Sequence, residues 1–430
     1  MADARKDRIP ELDGLRVLMI AMVAWFHIWQ QSWLFPDLRL KAEVLRFFRS
    51  ALGLDLTLTF LPATGYIWVD GTVLISVFLL YLPWAKAKRE GTPAPRAGDF
   101  YFRRARRILP SYYFILLCHL LLVALPWNQY DGNRSWMVRD ILSHLTFTFM
   151  QRPETYIATP LGGGAWTVAL LVQGYLLFPL MARGMQKHPA AVAGGMLLCC
   201  FAYRTFVLWS AAEDYAHYGV TPDYSMQVNQ LINFLDVYVI GVLSAAGFDA
   251  ARALQEKNRR MKPLNKKRRL LREAAMTLLF LGSLYGLLRL LQIQARADGI
   301  QLQAWQMMYR PAFALCFAGM IVTAPFALRP LRFLLGNPVT RFLAGISMNF
   351  YLVHQTVAVH LKYRLHLPWS DHFLSEDFLV WGMYPNQVMN EEWMVRYSLL
   401  CVAVAFVMAL AVTYLVEKPI SRLAAKRRAG

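Results

Sequence analysis

The sequence has few acidic residues and little charge overall. Its 430 residues include 27 Asp and Glu against 46 Lys and Arg, and charged residues make up 17% of the chain while hydrophobic residues make up 57%. This composition is too apolar for an ordinary soluble domain of that size. It excludes a soluble protein and indicates an all-α, polytopic membrane protein.

Several chemical motifs are also missing. The five cysteines all lie in apolar segments, are odd in number and show no CxxC spacing, which is typical of packing residues. There is no HExxH pattern, no glycine-rich nucleotide loop and no GxSxG pattern. We therefore predict no metal site, and we set aside a nicotinamide-dependent enzyme and a serine hydrolase.

Apolar windows of membrane-spanning length recur along nearly the whole chain. A helix of about 20 residues is roughly 30 Å long, which matches the hydrocarbon thickness of a bilayer. We predict ten spans, at 17–35, 66–84, 108–126, 166–183, 190–209, 228–247, 274–293, 310–328, 342–361 and 394–416. A weaker window at 137–150 is short and carries Arg139, Asp140 and His144.

Basic residues decide how the weak window is interpreted. With ten spans, the segments rich in Lys and Arg, including a basic loop at 248–273, lie on the same side as both termini, and the positive-inside rule makes that side cytoplasmic. An eleventh span would break this distribution, so we expect 137–150 to be an amphipathic or re-entrant piece on the outer side. The loop at 362–393 is then extracytoplasmic, and residues 1–430 form a single transmembrane domain. The net charge of +19 is thereby assigned to orientation and not to a nucleic-acid partner.

Several polar residues lie where hydrocarbon is expected. His27 follows Arg16 by eleven residues, which is about 16 Å along a helix and close to mid-membrane. His354 lies about as deep in the ninth span. Groups of this kind need a bundle interior or a water-filled cavity, and they are candidate functional residues. The further candidates in the spans are Asp70, Ser76, Gln173 and Asp236.

Structural interpretations of these residues stay open. His27 could simply donate a hydrogen bond to a neighbouring helix, and an unpaired Asp236 could stay protonated as a neutral hydrogen-bonding group. Arg204 and Arg289 come late in outward-running spans, where a long side chain can reach the interface. We therefore predict a structural role for these two arginines.

A cluster of four arginines lies at the start of the third span, in FRRARRILP at 102–110. Orientation alone needs fewer charges. The guanidinium fork matches phosphate oxygens, so Arg103, Arg104, Arg106 and Arg107, beside Arg16, could hold a ligand with several phosphates. The alternative is a topology anchor that contacts lipid phosphates.

Six stretches occur in order over essentially the whole chain: RIPELDGLRVLMIAMVAWFH, WVDGTVLISVFLL, RRARRILPSYY, AWTVALLVQGYLLFP, ISMNFYLVH and YLVEKP. Together they resemble the acyltransferase-3 family of integral membrane O-acyltransferases. The resemblance implies that an acyl group, acetyl or similar, moves from cytoplasmic acyl-CoA to a hydroxyl of an envelope glycan, lipid or other acceptor outside a bacterial plasma membrane. It implies no tightly bound cofactor, with acyl-CoA as a co-substrate and membrane lipids as the surroundings.

The resemblance also implies roles for individual residues. His27 corresponds to the family's catalytic histidine, Arg16 to its partner on the same helix, and His354 to a motif histidine of the same site. A neutral imidazole at position 27 could take the proton of the acceptor hydroxyl as that hydroxyl attacks the thioester.

The remaining roles concern the two substrates. Arg104 and Arg107 correspond to the basic pair associated with the acyl donor, and Arg103 and Arg106 are counted with them. The residues expected near the substrates are Asp70, Ser76, Trp166, Gln173, Tyr175 and Asp236.

The chain departs from the family pattern in the fourth span. Family members commonly carry W-S-L-x-x-E followed four residues later by Tyr, and here Trp166 and Tyr175 keep that spacing while Leu171 stands in place of the glutamate. In the second span, Ser76 and Val77 stand where a serine and glycine pair is expected. Leucine supplies neither a proton acceptor nor a hydrogen bond.

Three interpretations of this departure are open. Another polar residue takes over in an active enzyme, or the enzyme uses a different acyl group or acceptor. In the third, the chain is a catalytically lapsed member that acts as a glycan or lipid transporter or flippase.

Overall fold

The computed structural model describes residues 8–32, 34, 40–218, 224–261, 265–297, 299–364 and 391–429. Within these ranges the ordered elements are all helical, with no strand. Ten helices of the described residues are long and apolar enough to cross a membrane. They are α1 (Glu11–Ser32), α2 (Trp68–Glu90), α3 (Ala97–His119), α4 (Trp166–Lys187), α5 (Pro189–Tyr218), α6 (Leu235–Met261), α7 (Lys266–Gln294), α8 (Gly299–Thr323), α9 (Pro338–Arg364) and α10 (Glu391–Ala411).

Shorter helices connect or extend the ten long ones. Ala42–Leu52 and Arg134–Leu145 lie in connections, Arg329–Leu335 precedes α9, and Lys418–Ala429 follows α10. Single turns and π-helical pieces occur at Phe60–Ala63, Gly65–Ile67, Leu120–Ala124, Phe149–Gln151, Pro153–Tyr156, Gly163–Ala165, Ser225–Val228, Leu231–Phe234, Ala324–Phe326 and Val412–Glu417.

The ten predicted spans are confirmed, since each overlaps one of the ten long helices. The weak window at 137–150 falls mostly in Arg134–Leu145, which has 12 residues and is too short to cross a bilayer. Asn133 starts this short helix by accepting a hydrogen bond from the backbone N–H of Trp136 at 3.0 Å.

Several helices continue beyond their apolar windows into charged sequence. Helix α3 begins at Ala97, so the arginine-rich segment is helical. Residues 248–261 belong to α6 and residues 266–273 to α7, so the stretch predicted as a basic loop is helical over most of its length. Asn265 caps α7 by accepting from the backbone N–H of Arg268 at 2.8 Å. Most of the predicted outer loop at 362–393 lies outside the described residues.

Helix α2 lies at the centre of the bundle, where it packs against α1, α6 and α8. In its most apolar window 78% of the residues are buried, against 17% for α5 and for α7, which therefore lie at the periphery. Helix α9 packs against α1 and α10, and this arrangement brings the spans that carry His27 and His354 side by side.

A close contact between two helices accommodates Val77, which stands in the second span where a glycine was expected. Val77 on α2 is buried and packs against Gly241 on α6. A Cβ added to Gly241 would lie 2.9 Å from Val77 Cγ1, which is too close for two carbon atoms. The bulk that Val77 brings to α2 is thus matched by the absence of a side chain on the facing helix.

Candidate active site

Two histidines from different helices lie next to each other inside the bundle. The ring centroids of His27 on α1 and His354 on α9 are 5.1 Å apart. His354 is buried, with its ring stacked on Phe350, while the ring of His27 lines a cavity. The sequence predicted each histidine at mid-membrane depth, and the fold brings the two together.

Hydrogen bonds assign the tautomer of both rings. Nδ1 of His354 lies 2.6 Å from the backbone oxygen of Tyr351, and Nδ1 of His27 lies 3.2 Å from Oε1 of Gln30. A carbonyl oxygen can only accept, so in the neutral ring Nδ1 donates in both cases. Nε2 of each histidine then carries the free lone pair, which is the arrangement a proton acceptor needs.

The cavity at His27, which we call the histidine cavity, has a volume of about 480 Å³. Its walls combine aromatic rings with amides and hydroxyls, and no acidic or basic side chain from the described ranges lines it apart from the imidazole. The lining includes Trp166, one of the residues expected near the substrate. The others that carry polar groups are Trp29, Gln30, Thr64, Tyr66, Ser225, Asn229, Gln303, Gln306 and Tyr351.

A second cavity, which we call the arginine cavity, has a volume of about 220 Å³ and lies on the Arg16 side of His27. Its lining includes three arginines, Arg16, Arg104 and Arg107. No acidic side chain in the described part of the chain lines it. Ser76 and Tyr175, two of the residues expected near the substrates, also belong to its wall. Three positive charges without a lining carboxylate make this cavity attractive to an anion.

The packing of the helical arginine segment decides which arginines reach the cavity. Arg104 and Arg107 are one turn apart on α3, and both line the cavity. Neither Arg103 nor Arg106 lines the cavity, and the guanidinium of Arg106 lies 5.7 Å above the ring of Phe102. Of the four predicted donor-binding arginines, the fold therefore brings two into the site.

Aromatic rings hold Arg104 in the cavity wall. Its guanidinium lies 5.9 Å from the ring centroid of Phe100 and 5.9 Å from that of Tyr175. Stacking on two rings restricts the side chain while leaving its N–H groups available to a ligand. Leu171, which stands in place of the family's glutamate, lines this same cavity.

One side chain in the described ranges belongs to the walls of both cavities. Tyr351 on α9 lines both of them, and its hydroxyl donates to Oγ1 of Thr167 at 2.6 Å. Trp166 lies on the histidine side of this bond and Thr167 on the arginine side, so the boundary runs through the start of α4. The arginine cavity and the histidine cavity are thus neighbours at one layer of the bundle.

Asp70 and Asp236 are buried in ion pairs and line neither cavity. Arg204 Nη2 donates to Asp236 Oδ2 at 2.7 Å, and Arg310 Nε donates to Asp70 Oδ2 at 3.2 Å. The backbone oxygen of Asn233 accepts from both arginines, at 2.8 and 3.1 Å, and so joins the pairs into one network across α2, α5, α6 and α8.

This network corrects two expectations. The side chain of Arg204 is fully buried, so it does not extend to the membrane interface as predicted, because a carboxylate at the same depth neutralises it. Asp236 is paired, so it is not the isolated carboxyl that the sequence suggested. Gln173 is also engaged elsewhere, since its Nε2 donates to the backbone oxygen of Phe147 at 2.8 Å.

Tyr351, Thr167 and Gln30 line the site but were not predicted from the sequence. Each lies close in sequence to a predicted residue: Tyr351 is one turn before His354 within ISMNFYLVH, Thr167 follows Trp166 directly, and Gln30 is one turn after His27. Polar residues one turn from a functional residue share its helix face.

The fold and the site define a multi-pass, helical membrane protein with a histidine pair and a cluster of arginines in its interior. The acyltransferase-3 family model, described as an acyltransferase domain, matches residues 9–416, which is nearly the whole chain. The chain belongs to this family and is a membrane acyltransferase by that membership. No curated protein and no solved structure matches it.

Proposed function

We propose that this protein transfers an acyl group from acyl-CoA, bound at the arginine cavity, to a hydroxyl of an acceptor that enters the histidine cavity. The observation that carries the proposal is the adjacency of the two cavities, one lined by three arginines and the other by His27, with Tyr351 in the walls of both. An acyl-enzyme intermediate is not needed, because both substrates can meet at this boundary.

The charge of the arginine cavity supports a donor with several phosphates. Arg104 and Arg107 offer guanidinium forks on one helix face, and Arg16 adds a third positive charge from α1. The phosphates of CoA would lie at these groups while its pantetheine arm extends along the cavity toward Tyr351. Because Lys and Arg are concentrated on the Arg16 side, we assign that side to the cytoplasm, where acyl-CoA is available.

The chemistry of the histidine cavity supports direct attack by a hydroxyl. Nε2 of His27 takes the proton from the acceptor hydroxyl, whose oxygen forms a bond to the thioester carbonyl carbon. The C–S bond then breaks, and the proton passes to the thiolate of CoA. The products are an ester and free CoA, so no oxidant or metal is required by the balance of atoms.

The lining of the histidine cavity supports a polyhydroxyl acceptor. Trp166, Phe26 and Tyr66 offer rings for stacking, and Asn229 and Gln306 offer amides that can bond to hydroxyls. An envelope glycan or a glycan-bearing lipid fits this chemistry, on the outer side of the plasma membrane of a bacterium.

The test uses inverted membrane vesicles of an expression host, whose own glycans and lipids supply the acceptor, with acetyl-CoA labelled in the acetyl group. We expect the label to enter material from which hydroxylamine releases it, as an O-ester requires. His27→Ala should reduce this transfer about 10²- to 10⁴-fold, which is the range that a general base contributes. His188→Ala, which removes an exposed histidine at the end of α4, is the matched control.

Binding of the donor is measured separately by calorimetry with CoA and the purified protein in nanodiscs. The double variant Arg104→Ala/Arg107→Ala should weaken binding at least tenfold, while Arg183→Ala, an exposed arginine of α4, serves as the control. Transfer that persists without His27, or CoA binding that ignores Arg104 and Arg107, would refute the proposal. Movement of a glycan or lipid across the membrane without consumption of thioester would indicate a transporter.

A further inference from the structure

Tyr351 occupies the boundary between the two cavities. Along α9, Ser347 and Met348 line the arginine cavity one turn before it, and His354 lies one turn after it. Tyr351 is the only residue in the described ranges that lines both cavities. A group that reaches from one cavity into the other must therefore pass its side chain.

The hydroxyl of Tyr351 is bonded differently from other hydroxyls of the arginine cavity. Thr72, Ser76 and Ser347 each donate to a backbone carbonyl three or four residues earlier in their own helix, at 2.8, 2.8 and 3.0 Å. Tyr351 instead donates to a side-chain hydroxyl, that of Thr167 on another helix. It can leave this partner without breaking a hydrogen bond to the backbone.

We propose that Tyr351 is a catalytic hydrogen-bond donor whose hydroxyl leaves Thr167 and donates to the carbonyl oxygen of the acyl group at the cavity boundary. This inference rests on the proposed function, because it needs a thioester that extends from the arginine cavity toward His27. Of the two hydroxyls that meet at this boundary, those of Tyr351 and Thr167, only that of Tyr351 belongs to a residue that lines both cavities in the described ranges.

The donated hydrogen bond strengthens as the reaction proceeds. When the acceptor oxygen bonds to the carbonyl carbon, the carbonyl π electrons move to its oxygen, which becomes an oxyanion. Hydrogen bonds to a charged acceptor are about twice as strong as those between neutral groups, so the phenol stabilises this state more than it stabilises the thioester. When the C–S bond breaks, the carbonyl forms again and the phenol returns to Thr167.

Tyr351 also links its own phenol, the hydrogen-bond donor, to the histidine pair that includes the proposed base His27. The backbone oxygen of Tyr351 accepts from Nδ1 of His354, whose ring lies 5.1 Å from that of His27. One turn of α9 therefore holds the oxyanion donor in a defined position relative to the histidine pair, which is what preorganisation of a transition-state site requires.

The test compares Tyr351→Phe with Tyr112→Phe in the vesicle assay with labelled acetyl-CoA. Both tyrosines are buried and hydrogen-bonded, but Tyr112 donates to the backbone oxygen of His144 at 3.1 Å and lines neither cavity. Tyr351→Phe keeps the ring at the boundary and should lower the maximal transfer rate roughly 10²- to 10³-fold, as loss of one oxyanion donor does. The dissociation constant of CoA should stay within about twofold of the native value, because the contacts at the arginines are untouched.

The variant Thr167→Val separates catalysis from structure. It removes the resting partner of the phenol but not the phenol, so it should lower the transfer rate less than Tyr351→Phe does. A Tyr351→Phe protein that transfers acetyl as fast as Tyr112→Phe would overturn the inference. Equal losses in Tyr351→Phe and Thr167→Val would also overturn it, since they would assign the bond a purely structural role.

A third variant keeps the proposal testable if Tyr351→Phe does not fold. 3-Fluorotyrosine incorporated at position 351 keeps the shape and the bond to Thr167 but is a stronger donor, so the transfer rate should rise at a pH where the phenol remains protonated. An unchanged rate overturns the inference. A native protein that neither binds CoA nor consumes acetyl-CoA overturns the proposed function itself, and this outcome is recognised by the calorimetry before any variant is compared.

Discussion

Removal of one partner of the buried pair Arg204–Asp236 should strongly destabilise the protein. Their side chains are 0% and 1% exposed, and Nη2 of Arg204 lies 2.7 Å from Oδ2 of Asp236. In Asp236→Leu the guanidinium keeps its bonds to Asn233 but loses its counter-charge. An uncompensated buried charge costs about 3–5 kcal/mol, a large part of the ~5–15 kcal/mol by which folded proteins are stable.

The double variant Arg204→Met/Asp236→Leu should recover much of this loss. It removes both charges, and two buried groups lose a partner: the side-chain oxygen of Asn233 loses its 2.6 Å bond from Nε of Arg204, and the backbone N–H of Val237 loses Oδ1 of Asp236 at 2.8 Å, as it already does in Asp236→Leu. An unsatisfied buried acceptor costs about 1–3 kcal/mol. The backbone oxygen of Asn233 keeps its bond from Arg310, so we expect the double variant to lie below the native protein but to recover most of the ~3–5 kcal/mol that the unpaired charge costs in Asp236→Leu.

The free energy of unfolding is measured by titration with sodium dodecyl sulfate in mixed micelles, followed by circular dichroism. The folded double variant is then assayed for acetyl transfer, which should proceed at the native rate because Asp236 lines neither cavity. A loss below about 1 kcal/mol in Asp236→Leu would refute the reasoning on burial. A stable double variant without transfer would instead return Asp236 to the substrate role expected from the sequence.

Three further predictions follow from the same geometry. Arg103→Ala should weaken CoA binding less than Arg104→Ala does, because of these two arginines only Arg104 lines the arginine cavity. Calorimetry with CoA compares the two variants. Equal losses of affinity would mean that the whole arginine cluster binds the acyl donor. His354→Ala should lower the transfer rate less than His27→Ala does. Because the effects of residues that act as one unit are not additive in kinetics, the double variant His27→Ala/His354→Ala should transfer acetyl no more slowly than His27→Ala. A much lower rate in the double variant would show that the two histidines act independently. Gly241→Val should lower the free energy of unfolding by about 1–3 kcal/mol, because the added side chain overpacks against α2. Adding Val77→Gly should restore part of this free energy in the detergent titration. No recovery would show that the side chains at 77 and 241 do not compete for the same space.

The number and position of the spans could be predicted from the sequence, but the ends of the helices could not. Hydropathy reports where side chains meet hydrocarbon, whereas a helix ends where its backbone hydrogen bonds end. Helix α3 shows the difference, because it starts at Ala97, well before its apolar window. Which of the four arginines line the cavity depends on how this helical extension packs, and hydropathy does not report that packing.

The candidate site was predicted residue by residue but not as an arrangement. The depths of His27 and His354 followed from counting along each span, and membrane burial marked both as exceptional. Their contact depends on the packing of α1 against α9, which hydropathy does not encode. The boundary at Tyr351 was out of reach for the same reason, since it exists only where α4 and α9 meet.

The two buried acids, Asp70 and Asp236, show why a charge in a span cannot be assigned to a substrate from its position alone. Asp70 and Asp236 were chosen as substrate residues because a charge in a membrane span usually marks function. Each has an arginine partner on another helix, and pairing across helices satisfies the same physical requirement without any substrate. Depth alone cannot distinguish the two cases, because both a cavity and an ion pair remove the charge from lipid.

The leucine at position 171 bears on how the proposed reaction is driven. Leu171 lines the arginine cavity, so a glutamate there would face Arg16, Arg104 and Arg107 and offset part of their charge. Without it, the cavity keeps its full attraction for the phosphates of the donor, but neither cavity gains a carboxylate from the described part of the chain. His27 is oriented by the neutral amide of Gln30, which fixes the tautomer but supplies no counter-charge to an imidazolium. The proton that His27 accepts must therefore pass to the departing thiolate as the C–S bond breaks, which makes the leaving group the final proton acceptor of the proposed mechanism.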